Sequence, residues 1–158
     1  MLSPMHLSAA ALAFVLAFAL ACGRAEETPE ERVRAALAAI EAAAEAREPG
    51  DIKDHISESY QDEHGNDRRA VLGIATGHVM RNKSVYILSR IGEIEFPDPA
   101  TARVDALVAL AGTPIEDAAA LAGVRADLYR FDVQLREEGG TWRVTSAAWR
   151  PAALSDFQ

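Results

Sequence analysis

The stretch Ala126-Asp127-Leu128-Tyr129-Arg130-Phe131-Asp132-Val133-Gln134-Leu135-Arg136-Glu137-Glu138-Gly139-Gly140-Thr141-Trp142-Arg143-Val144, followed shortly by Trp149, decides the fold. Tyr129, Phe131, Val133 and Leu135 alternate with Arg130, Asp132, Gln134 and Arg136, the period of a strand with one buried face. Asp127 falls on the apolar side of that alternation. Glu138-Gly139-Gly140 supplies a hairpin turn. These signals predict strands over 125–137 and 142–150. Trp142 and Trp149 stand seven apart, so an unbroken strand puts them on opposite faces. One then closes the core and the other lines a pocket or a dimer face.

Two more strands precede this hairpin. Ala102, Val104, Ala106, Val108 and Leu110 share one face of a strand over 101–111, with Arg103 and Asp105 on the other. Asp105 is expected to face solvent or to pair with Arg90 or Arg103. Upstream of the turn Pro97-Asp98-Pro99-Ala100, the β-branched and aromatic run from Val85 to Phe96 predicts a strand. Gly92 in its middle signals a bulge or bend. Between the second and third strands, Gly112-Thr113-Pro114-Ile115-Glu116 carries a capping pattern, predicting a short helix over 114–121 stopped at Gly123. Residues 152–158 are expected to be a C-terminal tail.

The segment before the strands is helical. Thr28-Pro29-Glu30-Glu31 combines an N-cap, a proline for the first helical position and a capping-box glutamate. Val33, Leu37, Ile40 and Ala44 then recur at helical spacing, predicting a helix over 30–47 whose other face, rich in Glu and Arg, is solvated. Asp51 is expected to cap a second helix over 51–57, with Ile52 and Ile56 inward. Tyr60 to Asp67 is polar and contains Gly65, so it forms a loop. Asp62, Glu63, His64 and Asp67 are potential metal ligands, but the alternating pattern of a calcium loop is absent. The loop is taken as a turn in which Asn66 caps a third helix over 67–81. His78 shares an apolar stripe there with Val71, Leu72, Ala75 and Val79. Helices followed by hairpin-linked strands make an α+β domain: N-terminal helices packed on a curved, mostly antiparallel sheet of four to five strands.

The N-terminus speaks to location. No Asp, Glu, Lys or Arg occurs from Met1 to Ala21, and Leu7–Ala21 is an apolar run of signal-peptide length, short of the ~20 residues of a membrane span. Ala19-Leu20-Ala21-Cys22 fits ordinary signal-peptide cleavage and also resembles the bacterial lipobox. The one cysteine of the chain occupies the position that acylation requires. The expected organisation is a lipoprotein signal peptide at 1–21, a tether at 22–28, a domain at 29–151 and the tail. Bacterial lipoproteins with Gly rather than Asp after the cysteine, as Gly23 is here, resemble those sorted to the outer membrane, which implies a periplasm-facing domain held by its acylated N-terminus.

Composition removes several classes of function. A net charge of -8 excludes the basic stripe that nucleic-acid binding uses. With a single cysteine there is no intrachain disulfide or cysteine metal cage. No phosphate loop, Ser/His/Asp order or metal motif is visible, and no cofactor is implied. The excess of 32 alanines, and of 14 arginines over 2 lysines, carries no functional signal.

The opening helix, Ser59-Tyr60-Gln61-Asp62, the 67–81 helix, the bent strand from Val85 and the Ala126–Trp149 hairpin together resemble the nuclear transport factor 2-like superfamily. That group includes the SnoaL and ketosteroid isomerase cones. The resemblance covers residues 30–150 and implies a sheet curved around a helix to form a cone with an apolar pocket. Tyr60, His78, Asp127, Tyr129 and Trp149 are the candidate pocket residues, with Asp127 the candidate acid and Tyr60, His78 and Tyr129 candidate proton carriers. The catalytic pair of the isomerases has no residue-by-residue match. The leading expectation is therefore a non-enzymatic domain that binds a small apolar ligand or a protein partner. An acid–base enzyme, and an assembly subunit that forms a homodimer through the sheet, are the alternatives.

Overall fold

A computed structural model describes residues 26–158; the expected signal peptide at 1–21 and Cys22 lie outside the described residues. Three helices, α1 (Pro29–Glu45), the single turn α2 (Pro49–Ile52) and α3 (Arg68–Arg81), precede four strands. The strands β1 (Tyr86–Asp98), β2 (Thr101–Ala111), β3 (Ala126–Glu138) and β4 (Thr141–Pro151) form one antiparallel sheet in chain order.

The start of α1 follows its sequence signal. Thr28 Oγ1 accepts from Glu31 N at 3.2 Å, and Thr28 N donates back to Glu31 Oε2 at 2.7 Å. Two other caps move by a residue or more. Asp67, not Asn66, caps α3, accepting from Ala70 N at 2.8 Å. Asp51 caps nothing: the second helix begins at Pro49 and tightens into a 3₁₀ turn over Lys53–His55. It stops there because Ile56 is drawn to the edge of the sheet, bridging in parallel to Val144. The segment from Ile56 to Gln61 runs beside β4, with Ser57 N donating to Val144 O and Gln61 N to Thr145 O.

The strand register shifts at three places, two between β1 and β2 (Ile91/Ile94 and Glu95/Asp98) and one between β3 and β4. Between Ile91 and Ile94, β1 advances three residues while β2 advances two, a bulge at Gly92 as its sequence predicts. A Cβ at Gly92 would stand 3.1 Å from Asp105 O, which explains the glycine. The bulge in β4 was not visible in the sequence. Gln134 pairs with Ser146 but Leu135 pairs with Val144, leaving Thr145 as an extra residue in β4. The parity of β4 inverts there. Trp142 and Trp149 therefore share the helix-facing side, against the expectation that they face apart.

Two apolar clusters result. On the helix side, Val33, Ala36 and Ala43 of α1 pack with Ala102, Val104, Leu135, Trp142 and Val144. On the outer side, Leu107 and Ala109 of β2 are covered by Leu121 and Phe157. The expected 114–121 helix is replaced by a 3₁₀ turn at Ala120–Gly123. Asp117 Oδ1, rather than Thr113, supplies its cap by accepting from Ala120 N. A segment this short cannot offset helix nucleation, and its Ile115, Ala118 and Leu121 are spent covering the sheet instead.

The expected tail is likewise packed. Leu154–Phe157 forms a 3₁₀ turn, Phe157 is 1% exposed, and Arg90 Nη2 donates to its carbonyl at 2.6 Å. Removing that ring opens a cavity in the outer cluster, so Phe157→Ala should cost about 3 kcal/mol of unfolding free energy. Urea denaturation measures this, and an unchanged midpoint would mean that the segment contributes nothing.

Candidate functional site in the cone

Strand register arranges the helix-facing residues in rows across the sheet. Ile91, Ala106, Phe131 and Trp149 make one row; Ser89, Val108 and Tyr129 make the next toward the open end; Ile87, Leu110 and Asp127 make the rim. The row positions of Phe131, Tyr129 and Trp149 bring three aromatic rings together. Phe131 stacks on Trp149 with centroids 6.1 Å apart, and Tyr129 meets Phe131 edge-on at 6.2 Å. His64, from the loop beside β4, meets Trp149 edge-on at 6.1 Å. All three sheet aromatics are half-buried. They line the inner wall without being sealed into it.

Asp127 does not enter this wall. It is exposed at the rim, so the candidate acid chosen for its place in the alternation is solvated. The carboxyl that does enter belongs to Glu41 of α1. Glu41 is half-buried and hydrogen-bonded to the Ser89 side chain. Desolvation raises its pKa above the ordinary carboxylate value, the Ser89 bond partly opposes this, and the neighbouring charge of Glu45 raises it further. Glu45 itself accepts from Ile87 N at 2.8 Å. Tyr129 lies in the row of Ser89 and two strands away, about 10 Å across the cone at the usual strand spacing. The sequence signal for Glu41 was faint. It follows Leu37 by four and precedes Ala44 by three, which places it at the flank of the apolar stripe.

Tyr60 is 3% exposed, and its hydroxyl donates to Asp62 Oδ2 at 3.2 Å. Burial, joined by the charge and hydrogen bond of Asp62, pushes its ionisation far above the ordinary tyrosine range. Its hydroxyl is thus engaged with Asp62 rather than free on the helix-facing wall. Asp62 is buried, which opposes its charge. Bonds from the Asn66 side chain (2.9 Å), Asn66 N (2.9 Å), His64 N (3.0 Å) and the Tyr60 hydroxyl outweigh this and hold its carboxyl below the ordinary range. With four donors on Asp62 and Asp67 engaged as a cap, this loop is a hydrogen-bonded turn. No trio of metal-ligating residues occurs among the described residues. His78 is half-buried on α3, on the stripe of Val71, Ala75 and Val79, and its carbonyl accepts from Asn82 Nδ2.

The outer face also carries a groove, of about 550 Å3, crossing all four strands and bordered by Glu93, Glu95, Arg103, Asp105, Asp132 and Gln134. Its charges are partly paired. Arg130 Nη1 meets Asp105 Oδ2 at 2.9 Å, in place of the expected Arg90 or Arg103, and Arg150 Nη1 meets Asp132 Oδ2 at 2.7 Å. This groove is open and polar, unlike the aromatic inner wall.

No protein-family model matches the chain, and no curated protein does. Solved structures do. A proposed scytalone dehydratase from Novosphingobium aromaticivorans superposes with a TM-score of 0.64 at 12% identity, over 78% of this chain and 84% of that one. A protein from Streptomyces avermitilis described as a dehydratase of the NTF2-like family gives 0.60 at 16% identity, over 80% and 99%. A ketosteroid isomerase-like protein from Erwinia carotovora atroseptica gives 0.57 at 13%, over 80% and 99%. The chain thus has the nuclear transport factor 2-like fold: helices followed by a curved antiparallel sheet of four strands. At these identities the likeness establishes the fold alone.

The Glu41 environment has a pH signature. A carboxyl whose folded pKa is raised contributes stability below its unfolded pKa and loses it as pH rises through the folded value. Glu41→Gln does not titrate, so its melting temperature relative to wild type should rise between about pH 4 and pH 7. A difference that stays flat across that range would show that Glu41 is not desolvated.

Proposed function

We propose that this chain is a lipid-anchored protein of the cell envelope whose cone binds a small, mainly apolar ligand without transforming it. The observation that carries the reading is the half-buried aromatic cluster of Tyr129, Phe131 and Trp149 on the helix-facing side of the sheet, with the desolvated carboxyl of Glu41 beside Ser89 on that same side. Stacked rings on rigid strands give an apolar ligand broad contact at little entropic cost, and one polar group fixes its orientation. A protonated Glu41 donates to a ligand oxygen or nitrogen. Once ionised, it accepts.

The anchoring half of the reading rests on Ala19-Leu20-Ala21-Cys22, with acylation at Cys22 and an address on the periplasmic side of the outer membrane. Intact-mass measurement of the membrane fraction should show wild type heavier than unmodified mature chain by its acyl groups, and Cys22→Ala without them. Wild type recovered unmodified from the soluble fraction would refute the anchor.

A second reading is favoured by one observation, the pKa of Glu41 raised above the ordinary carboxylate value, which suits a group that exchanges a proton with a ligand. Two structural neighbours described as dehydratases and one as isomerase-like are consistent with it. It requires a second convergent group, for which Tyr129 is the nearest by row.

Native mass spectrometry of the purified domain, looking for a co-purifying small molecule, addresses ligand identity directly. N-phenyl-1-naphthylamine serves as the probe for affinity: it should bind one site in the cone and quench tryptophan emission. Trp149→Ala should weaken it by about tenfold, as for loss of a central aromatic contact, whereas Asp127→Asn leaves it unchanged. Equal affinity in Trp149→Ala would refute binding at this wall. A ligand recovered chemically altered would favour the enzymatic reading.

A further inference from the structure

The start of the domain and the closed end of the cone coincide. Arg32, one turn into α1, donates from Nη2 to Gly140 O at 3.0 Å and lies 3.7 Å from Glu137 Oε1. Glu137 N donates to Ala100 O at 2.8 Å, so the β1–β2 and β3–β4 tips sit side by side at the N-terminal end of α1. The mouth lies at the other end of that helix. There Glu45 caps Ile87 N, Arg47 Nη1 reaches Lys83 O at 3.4 Å, and Asp127 marks the rim.

Large apolar side chains left exposed among the described residues are Ile74, Met80 and Phe96. Phe96 is 37% exposed at the closed end, where it meets Trp142 edge-on at 5.9 Å. Pro97, Pro99 and Ala100 follow it, giving the β1–β2 tip an apolar point. Glu26, Glu27, Glu30 and Glu31 lie at the start of α1 and Asp98 lies in the tip, with Arg32 and Arg136 beside them, so this end carries charges of both signs.

The tether restricts how such a domain can sit on a membrane. From Cys22 to Thr28 there are six Cα steps, which span at most about 22 Å when fully extended. The 17 residues of α1 extend about 25 Å at 1.5 Å per residue. Turning the mouth toward the bilayer would require the tether to run back past the whole of α1, and it is too short to do so.

Resting on the lipid-anchored reading, we propose that the domain stands on its membrane on the closed end of the cone. The Phe96–Ala100 tip touches the bilayer interface, and the mouth opens away from it. The ligand then enters from the aqueous compartment and is not drawn from the bilayer that holds the protein. The tip contact is apolar and shallow, and the acyl chains supply the affinity.

The test uses the full acylated chain in vesicles of phosphatidylethanolamine and phosphatidylglycerol. Acylation consumes Cys22, so Ala100→Cys or Asp127→Cys supplies the one free thiol, labelled with a nitrobenzoxadiazole fluorophore. Nitroxide-bearing lipids should quench the label at position 100 at least about threefold more than the label at position 127. Adding Phe96→Ser should reduce quenching at position 100 while intact mass and far-UV circular dichroism stay those of the acylated, folded chain. Equal quenching at both positions, or stronger quenching at 127, in a chain shown by mass to be acylated overturns the orientation and leaves the anchor standing. An unmodified Cys22 overturns the anchor and the orientation with it.

Discussion

Which side of the sheet each residue of β4 faces depends on one extra residue. Side chains alternate across a strand with a period of two, so a single insertion exchanges every subsequent residue between faces. Thr145 is that insertion. Before it, Trp142 and Val144 close the cluster against α1; after it, Ala147 and Trp149 remain on the same side. Without the bulge Trp149 would turn outward, and Phe131 would lose its stacking partner on the inner wall. The bulged carbonyl is not wasted either, because Thr145 O accepts from Gln61 N. The same irregularity that keeps the aromatics inside thus binds the Tyr60 loop to the open edge of β4 and protects that edge from further pairing.

A sheet of four strands has two faces, and this chain covers both with unequal means. The helix-facing side receives α1 and part of α3. The outer side near the mouth receives the segment from Ile115 to Val124, with its Ala120–Gly123 turn, and the C-terminal segment from Ala152 through the Leu154–Phe157 turn. Toward the base the outer face is left polar, with Arg130–Asp105 and Arg150–Asp132 pairs along exposed strands. Such partly exposed pairs contribute little to stability, about 0–1 kcal/mol each. The outer cluster therefore depends on a few side chains, Phe157 foremost.

The elements and their order were legible because their signals are local. The Thr28 cap, the period-two runs, Gly92 and the Gly139-Gly140 turn, whose residues both have positive φ, act within a few residues of themselves. What was illegible depended on pairing across the chain. The bulge at Thr145 carries no glycine and becomes visible only in the register with Gln134 and Leu135. The burial of Phe157 depends on a surface made by Leu107 and Ala109, fifty residues earlier in the chain. The site divides in the same way. Tyr129 and Trp149 lie on the helix-facing side of the sheet. Asp127, chosen by strand parity, sits one row too far toward the rim, and Tyr60 is committed to Asp62. Parity says which side a residue faces but not how deep it lies along the cone, and depth separates Asp127 from Glu41.

Helix α1 links the ends of the molecule. It begins at the tether and carries Glu41 toward the mouth, thirteen residues beyond Thr28, or about 20 Å along a rigid rod. Membrane surface charge decays over a Debye length of about 8 Å at physiological ionic strength. With the closed end against the bilayer, Glu41 would stand more than two such lengths above the headgroups. Its raised pKa would then be governed by its own surroundings, chiefly desolvation within the cone, with the charge of Glu45 adding and the Ser89 bond opposing. The lipid composition beneath the domain would have little hold on the polar group proposed to orient the ligand. On that geometry, anchoring and recognition use opposite ends of one helix and can be altered independently.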